Sequence, residues 1–196
     1  MSTLLPIILS CDNFRVSSSP EDLSPLYIHV PPKEGDAIIG FLRPSVLAEL
    51  ERYNQELISQ GSTPIWEIVA HSSSIAAGAA GTEGKSKMVG FARPLDTPAL
   101  RSTAMDNMVQ KWRADGAPFG DLIAGKMWRD ELYPIYYHPF VPNMEQLAFS
   151  MERAATPLFG VVTYGVHLTV YTSDYRIWVP RRAKTKQTLS FTRFES

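Results

Sequence analysis

The residues best equipped for chemistry lie near the C-terminus: Trp178, Arg181, Arg182, Lys184 and Lys186. Four cations within six residues, beside an indole, can hold a phosphate, the arginines as planar forks and the lysines as point charges. The same run also fits a nuclear-import signal, an RNA contact or a solvated strand end, and composition alone favours the last. A second cluster, Trp128-Arg129-Asp130-Glu131-Leu132-Tyr133-Pro134, gathers an aromatic, a cation and two acids. Adjacent carboxylates rarely converge on one substrate, so it reads as an ion-paired, aromatic-anchored turn rather than an acid–base pair. Met151-Glu152-Arg153-Ala154-Ala155 offers either a buried Glu/Arg pair or a solvated helix end.

Other chemistries are disfavoured. His29, His71, His138 and His167 have no partner at metal-ligand spacing, and the lone Cys11 builds neither a disulfide within the chain nor a zinc cluster by itself. Gly78, Gly81 and Gly84 match neither a phosphate loop nor a dinucleotide loop. No catalytic residue and no metal ligand is therefore assigned. A net charge of -1 provides no global field for nucleic acid, so no specific nucleic-acid partner is expected. No apolar run reaches the roughly 18 residues of a membrane helix. The segment Met1 to Leu9 lacks the basic start of a secretory signal. The expectation is a soluble, cytoplasmic protein without a membrane partner.

The elements that must position these residues follow from periodicity. Leu26 to Val30, Ala37 to Phe41, Ile65 to His71 and Met88 to Phe91 read as strands, and Asn13 to Pro25 as a loop. Val46, Leu47, Leu50, Tyr53, Leu57 and Ile58 follow helical spacing, with Pro44 in the first turn and Gly61 as the stop. Residues 72–87, mostly Ser, Ala and Gly, predict a flexible insertion. Thr97 and Pro98 open a second helix whose stripe is Leu100, Ala104, Met108 and Trp112, and Gly116 ends it. The spacing predicts a further helix over 143–153, then a hairpin from Val161 to Tyr171 and Arg176 to Val179. Gly40-Phe41-Leu42-Arg43-Pro44 and Gly90-Phe91-Ala92-Arg93-Pro94 share a pattern, which is either a strand-then-helix pseudo-repeat or common turn chemistry.

A resemblance sharpens this picture. Trp128 to Tyr136, Met151 to Ala155, Leu158-Phe159-Gly160-Val161-Val162-Thr163-Tyr164-Gly165-Val166-His167-Leu168 and Ile177-Trp178-Val179-Pro180-Arg181-Arg182-Ala183-Lys184-Thr185-Lys186-Gln187-Thr188 resemble, in order and spacing, the junction region of a Nudix hydrolase family. That family, from fungi and plants, is related by name to thiamin pyrophosphokinase. Cys11 to Phe14 and Ile39 to Ser45 match the start of its N-terminal domain more loosely. The resemblance implies hydrolysis of thiamine diphosphate and its oxidised analogues to monophosphates, with Mg²⁺ as cofactor, on an α/β/α sandwich. Catalysis there uses a Gly, a Glu, an Arg-Glu and a Glu-Glu pair on one loop-helix-loop. No Arg-Glu-x-x-Glu-Glu run occurs in the 196 residues, and the chain departs from the family after Thr188.

The combined expectation is an α+β fold. Residues 1–155 form a small mixed α/β N-terminal domain, residues 156–188 open an incomplete Nudix sandwich with its first hairpin, and residues 189–196 are a non-family tail. The chain is expected to be cut short before the Nudix box, inactive alone and without a cofactor of its own. The alternative is a non-catalytic module that binds a thiamine-diphosphate-like small molecule or a protein, or self-associates through the exposed hairpin edge.

Overall fold

The computed structural model describes residues 23–29, 36–71, 86–116, 118–138, 144–165 and 168–179. Two hairpins build the main sheet. The first pairs β1 (Ser24–His29) with β2 (Asp36–Leu42), and the second pairs β3 (Trp66–His71) with β4 (Ser86–Phe91). β1 runs parallel to β4, which gives the order β2-β1-β4-β3 and leaves β2 and β3 at the ends. β1 begins at Ser24, inside the stretch expected to be loop. β4 begins at Ser86, so the last two residues of the expected 72–87 insertion are strand and the rest lie outside the described residues.

Helix α1 (Pro44–Ser59) follows β2 directly, with Arg43 as N-cap. It ends in a Schellman turn: Gly61 takes φ 73°, its N–H donates to the Ile58 carbonyl, and Ser62 donates to Leu57. Helix α2 (Pro98–Asp115) follows β4 after a turn that contains Pro94. Both shared Gly-Phe-x-Arg-Pro runs thus end a strand ahead of a helix, but only Pro44 starts one. The Thr97 hydroxyl caps α2 by accepting from the Leu100 N–H, as its position predicts.

The buried face of α2 differs from the expected stripe. It comprises Arg101, Met105, Met108, Val109 and Trp112, whereas Leu100 is 46% exposed. Residues four apart advance 400° around a helix, so a strict four-residue stripe drifts off one face. The i, i+4, i+7, i+8, i+11 set stays on it, and that set includes a charged residue.

The largest correction concerns 143–153. Instead of a helix, a short 3₁₀ turn (Met144–Gln146) leads into β6 (Leu147–Glu152), paired antiparallel with β5 (Leu132–Tyr136). Ala148, Phe149, Met151 and Glu152 are all buried, because β5 covers the edge of β6 while α2 packs beside it. Packing thereby overrides the helix propensity of Met, Glu, Gln and Leu. Pro134 is tolerated because it stands opposite Ser150 at a position where β5 has no ladder bond to give. The neighbouring bond runs from Arg153 N–H to the Glu131 carbonyl, which fixes the alternation.

One aromatic core binds the layers. The Trp66 ring lies 4.6 Å from Phe91 and 6.1 Å from Phe159, Trp112 stacks on Phe159, and Phe149 meets Phe91 edge-on. Phe159 comes from the single-turn α3 (Thr156–Phe159) and, with Val161, belongs to the same core as β1–β4. The α+β class expected from the sequence is the class observed. Among the described residues, the expected C-terminal hairpin pairs only through β7 (Val170–Tyr171) and β8 (Ile177–Trp178), and residues 161–165 are not strand.

Candidate functional site

Of the predicted phosphate-binding residues, Trp178 is described, while Arg181, Arg182, Lys184 and Lys186 lie outside the described residues. Trp178 sits on β8 and is 69% exposed. Its hairpin turns through Thr172 to Arg176. The Thr172 N–H donates to the Arg176 carbonyl, Arg176 pairs with Asp174 at 2.8 Å, and Tyr175 takes φ 63°. Tyr171 and Tyr175 stack with parallel rings. Leu168, Tyr175 and Val179 are also largely exposed, so the hairpin presents an apolar surface with a cation at its turn.

The Trp128–Pro134 cluster is a turn only in its first half: residues 128–131 are irregular, and Leu132, Tyr133 and Pro134 already belong to β5. Asp130 takes φ 56°, and the Arg113 guanidinium lies 4.2 Å over the Trp128 ring. Glu131 accepts from Arg153 through both carboxylate oxygens at 2.9 and 3.0 Å. The neighbouring Glu152 resolves the alternatives left open for Met151–Ala155. It is buried, but its partner is not Arg153, which is exposed and bound to Glu131. Glu152 instead accepts three main-chain N–H groups, from Arg129 (3.0 Å), Glu131 (3.2 Å) and Ala154 (3.0 Å). Both carboxylate oxygens are occupied by the backbone of this turn, which makes Glu152 a clamp on the β5 entry rather than a free acid or base. Glu152→Gln places an amide N–H against N–H donors and is expected to cost about 1–3 kcal/mol of unfolding free energy, read from the urea midpoint.

Three residues that sequence reasoning passed over hold the scaffold. Asn54 on α1 donates its Nδ2 to the Trp66 carbonyl at 2.8 Å, and its Oδ1 accepts from the Ile65 and Trp66 N–H groups at 3.2 Å. It mimics a neighbouring strand at one position of β3. Arg101 is buried and donates Nε to the Leu95 carbonyl, Nη2 to Asp96 and Nη1 to Ala148, at 2.8–2.9 Å. Burial pulls its guanidinium below the ordinary arginine value, opposed by Tyr137 and Asp96. Next to it, the Ser102 hydroxyl donates to Pro98 and accepts from the Ser150 N–H at 2.8 Å. The signal available was the 3.6-residue phase, which puts Arg101 and Asn54 on the buried faces of their helices.

Among the described residues, no three His, Cys, Asp or Glu side chains gather as a metal site, and no helix is long and apolar enough to cross a membrane. The chain belongs to the family described as Domain of unknown function (DUF4743), whose pattern matches residues 4–163. It is 38% identical over 63 residues to Nudix hydrolase 20, chloroplastic, of Arabidopsis thaliana, across 31% of this chain and 16% of that protein. It is 33% identical over 95 residues to the uncharacterized protein YJR142W of Saccharomyces cerevisiae, across 45% of this chain and 24% of that protein. The matched part thus spans a quarter or less of either relative.

Proposed function

We propose that this domain is the N-terminal, non-catalytic portion of a Nudix-type diphosphate hydrolase. The observation that carries this reading is the 38% identity over 63 residues to Nudix hydrolase 20 within a chain of the DUF4743 family. Residues 1–155 act as the accessory domain, and residues 156–188 lead into the catalytic part. The substrates proposed for the intact enzyme are thiamine diphosphate and its oxidised analogues, cleaved to monophosphates with Mg²⁺. These 196 residues contain no Arg-Glu-x-x-Glu-Glu run to hold that ion and activate water. The chain alone is therefore expected to release no thiamine monophosphate from thiamine diphosphate and Mg²⁺. Release above a heat-inactivated control would overturn this.

A second reading rests on the exposure of Trp178. Together with Arg181, Arg182, Lys184 and Lys186 it is suited to grip a diphosphate without cleaving it, or to dock a protein partner. Such diphosphate binding fades as salt rises, a dependence that titration calorimetry measures.

A further inference from the structure

Residues 160–165 leave the core as an irregular segment with unlike ends. At the inner end, the main chain of Phe159 and Gly160 lies directly on that of Gly40 and Phe41 in β2, with no room for a methyl group between them. Val161 follows and is buried in the core. Toward the outer end, Val162 is 38% and Tyr164 41% exposed. Among the described residues, the Tyr164 N–H is the one main-chain group from Val161 to Gly165 with a hydrogen-bond partner. That partner is a side chain, the Tyr133 hydroxyl of β5, at 2.6 Å. Tyr133 is itself steadied: the Arg153 guanidinium lies 5.7 Å from its ring and pairs with Glu131 at 2.9 Å. Slight burial, with the phenols of Tyr133 and Tyr136 nearby, raises the Tyr164 phenol above the ordinary tyrosine value, in keeping with a ring that lies beside β5. The hairpin beyond is exposed on both of its strands.

We propose that this segment is a strap with one welded and one releasable end, and that the Tyr133 hydroxyl is its catch. The inner end cannot move without parting β2 from α3. The outer end is held by a single hydrogen bond between neutral groups near the surface, and a bond of that kind leaves an open form populated at roughly a tenth. On release, Val162 to Tyr164 lift from β5 while the core keeps its packing. Three residues of chain then give the exit point up to about 10 Å of travel. Tyr136 stands on the same strand, but its hydroxyl bonds to no described group, so the catch is Tyr133 alone. Closing or opening it selects between two paths by which the chain leaves the body. With residues 156–188 as the way into the catalytic part, the catch sets how firmly that part is held against the accessory domain, a consequence that rests on the reading above, whereas the catch itself does not.

Amide hydrogen exchange and heteronuclear NOE values of the isotope-labelled chain test this. In the unaltered chain the Tyr164 amide is expected to exchange about tenfold more slowly than an unstructured amide, the protection that an open form of about a tenth allows. Tyr133→Phe keeps the ring and removes the acceptor. Tyr164 should then exchange within about twofold of the unstructured rate. The NOE values from Val162 to Gly165 and along β7 and β8 should fall, while those of β1 to β6 and the far-UV circular dichroism stay unchanged. Tyr136→Phe should alter none of these. An unprotected Tyr164 amide in the unaltered chain overturns the proposal. Protection above about a hundredfold does so too, because the outer end would then be a fixed anchor. So does an effect of Tyr136→Phe equal to that of Tyr133→Phe. If Tyr133→Phe fails to fold, Tyr164→Pro, which deletes the donor, decides through the NOE values of Thr163 and Gly165. Diphosphate cleavage enters none of these readouts, so failure of the Nudix reading would leave them as they are.

Discussion

Arg101→Met is expected to lower the unfolding free energy by about 3–5 kcal/mol, making it one of the most damaging single substitutions in the chain. Methionine roughly preserves the volume and the helix propensity, so the loss is not a cavity effect. It arises because three carbonyl oxygens, on Leu95, Asp96 and Ala148, lose their donor together. A buried acceptor left unpaired costs about 1–3 kcal/mol, and relaxation keeps the total below the simple sum. The guanidinium suits this role because its fork reaches three acceptors at fixed angles, and the charge strengthens each bond. Arg101→Lys keeps the charge but not the fork and is expected to recover less than half of the loss. Leu100→Ala, one residue away on the exposed side, should change stability by less than about 1 kcal/mol. Urea midpoints at constant m value separate these outcomes. Equal effects for Leu100 and Arg101 would overturn the assignment.

Gly160→Ala is expected to cost about 3 kcal/mol or more, from two additive sources. Gly160 takes φ 55°, where an L side chain pays about 1–2 kcal/mol. Its new methyl would also overlap the Phe41 carbonyl oxygen of β2. Across the same contact, a methyl on Gly40 would overlap the Phe159 carbonyl. Backbone meets backbone here, so no rotamer change relieves the overlap. Gly61→Ala isolates the conformational part: φ is 73° there and nothing lies within 4 Å of the added carbon. That control should cost only about 1–2 kcal/mol. The Gly40 and Gly160 changes should combine less than additively, since either one already forces β2 from α3. A Gly160→Ala effect no larger than the Gly61→Ala effect would show that β2 and α3 are not pressed together.

These two sites mark where sequence reasoning reached and where it stopped. Helix starts and stops were readable, because Thr97, Pro98, Pro44 and Gly61 act through their own backbone and immediate neighbours. The four main strands were readable for the same reason, with ends shifted by a few residues. Leu147–Glu152 was misread as helix because its residues favour a helix locally. Its strand state depends on β5 and on two side chains of α2 distant in sequence. Arg101 was missed as a core residue because a charged side chain is excluded from the core until its carbonyl partners are known. Glu152 was recognised as a buried candidate, but its partners are main-chain N–H groups that no sequence pattern announces. Trp178 was placed on a strand after a turn, and the structure puts it there in the open.

The residue order alone carried what depends on near neighbours: the α+β class, the capped helices and the irregular entry to β5 at residues 128–131. Tertiary structure decided which strand edges are closed and which stay open. That choice depends on hydrogen-bond donors and acceptors brought together from distant parts of the chain: Asn54 reaches β3, Arg101 reaches β6, and no described group reaches Ile68 or Ala70. Each main-chain N–H and carbonyl must find a partner somewhere, and only the folded arrangement shows where that demand is met.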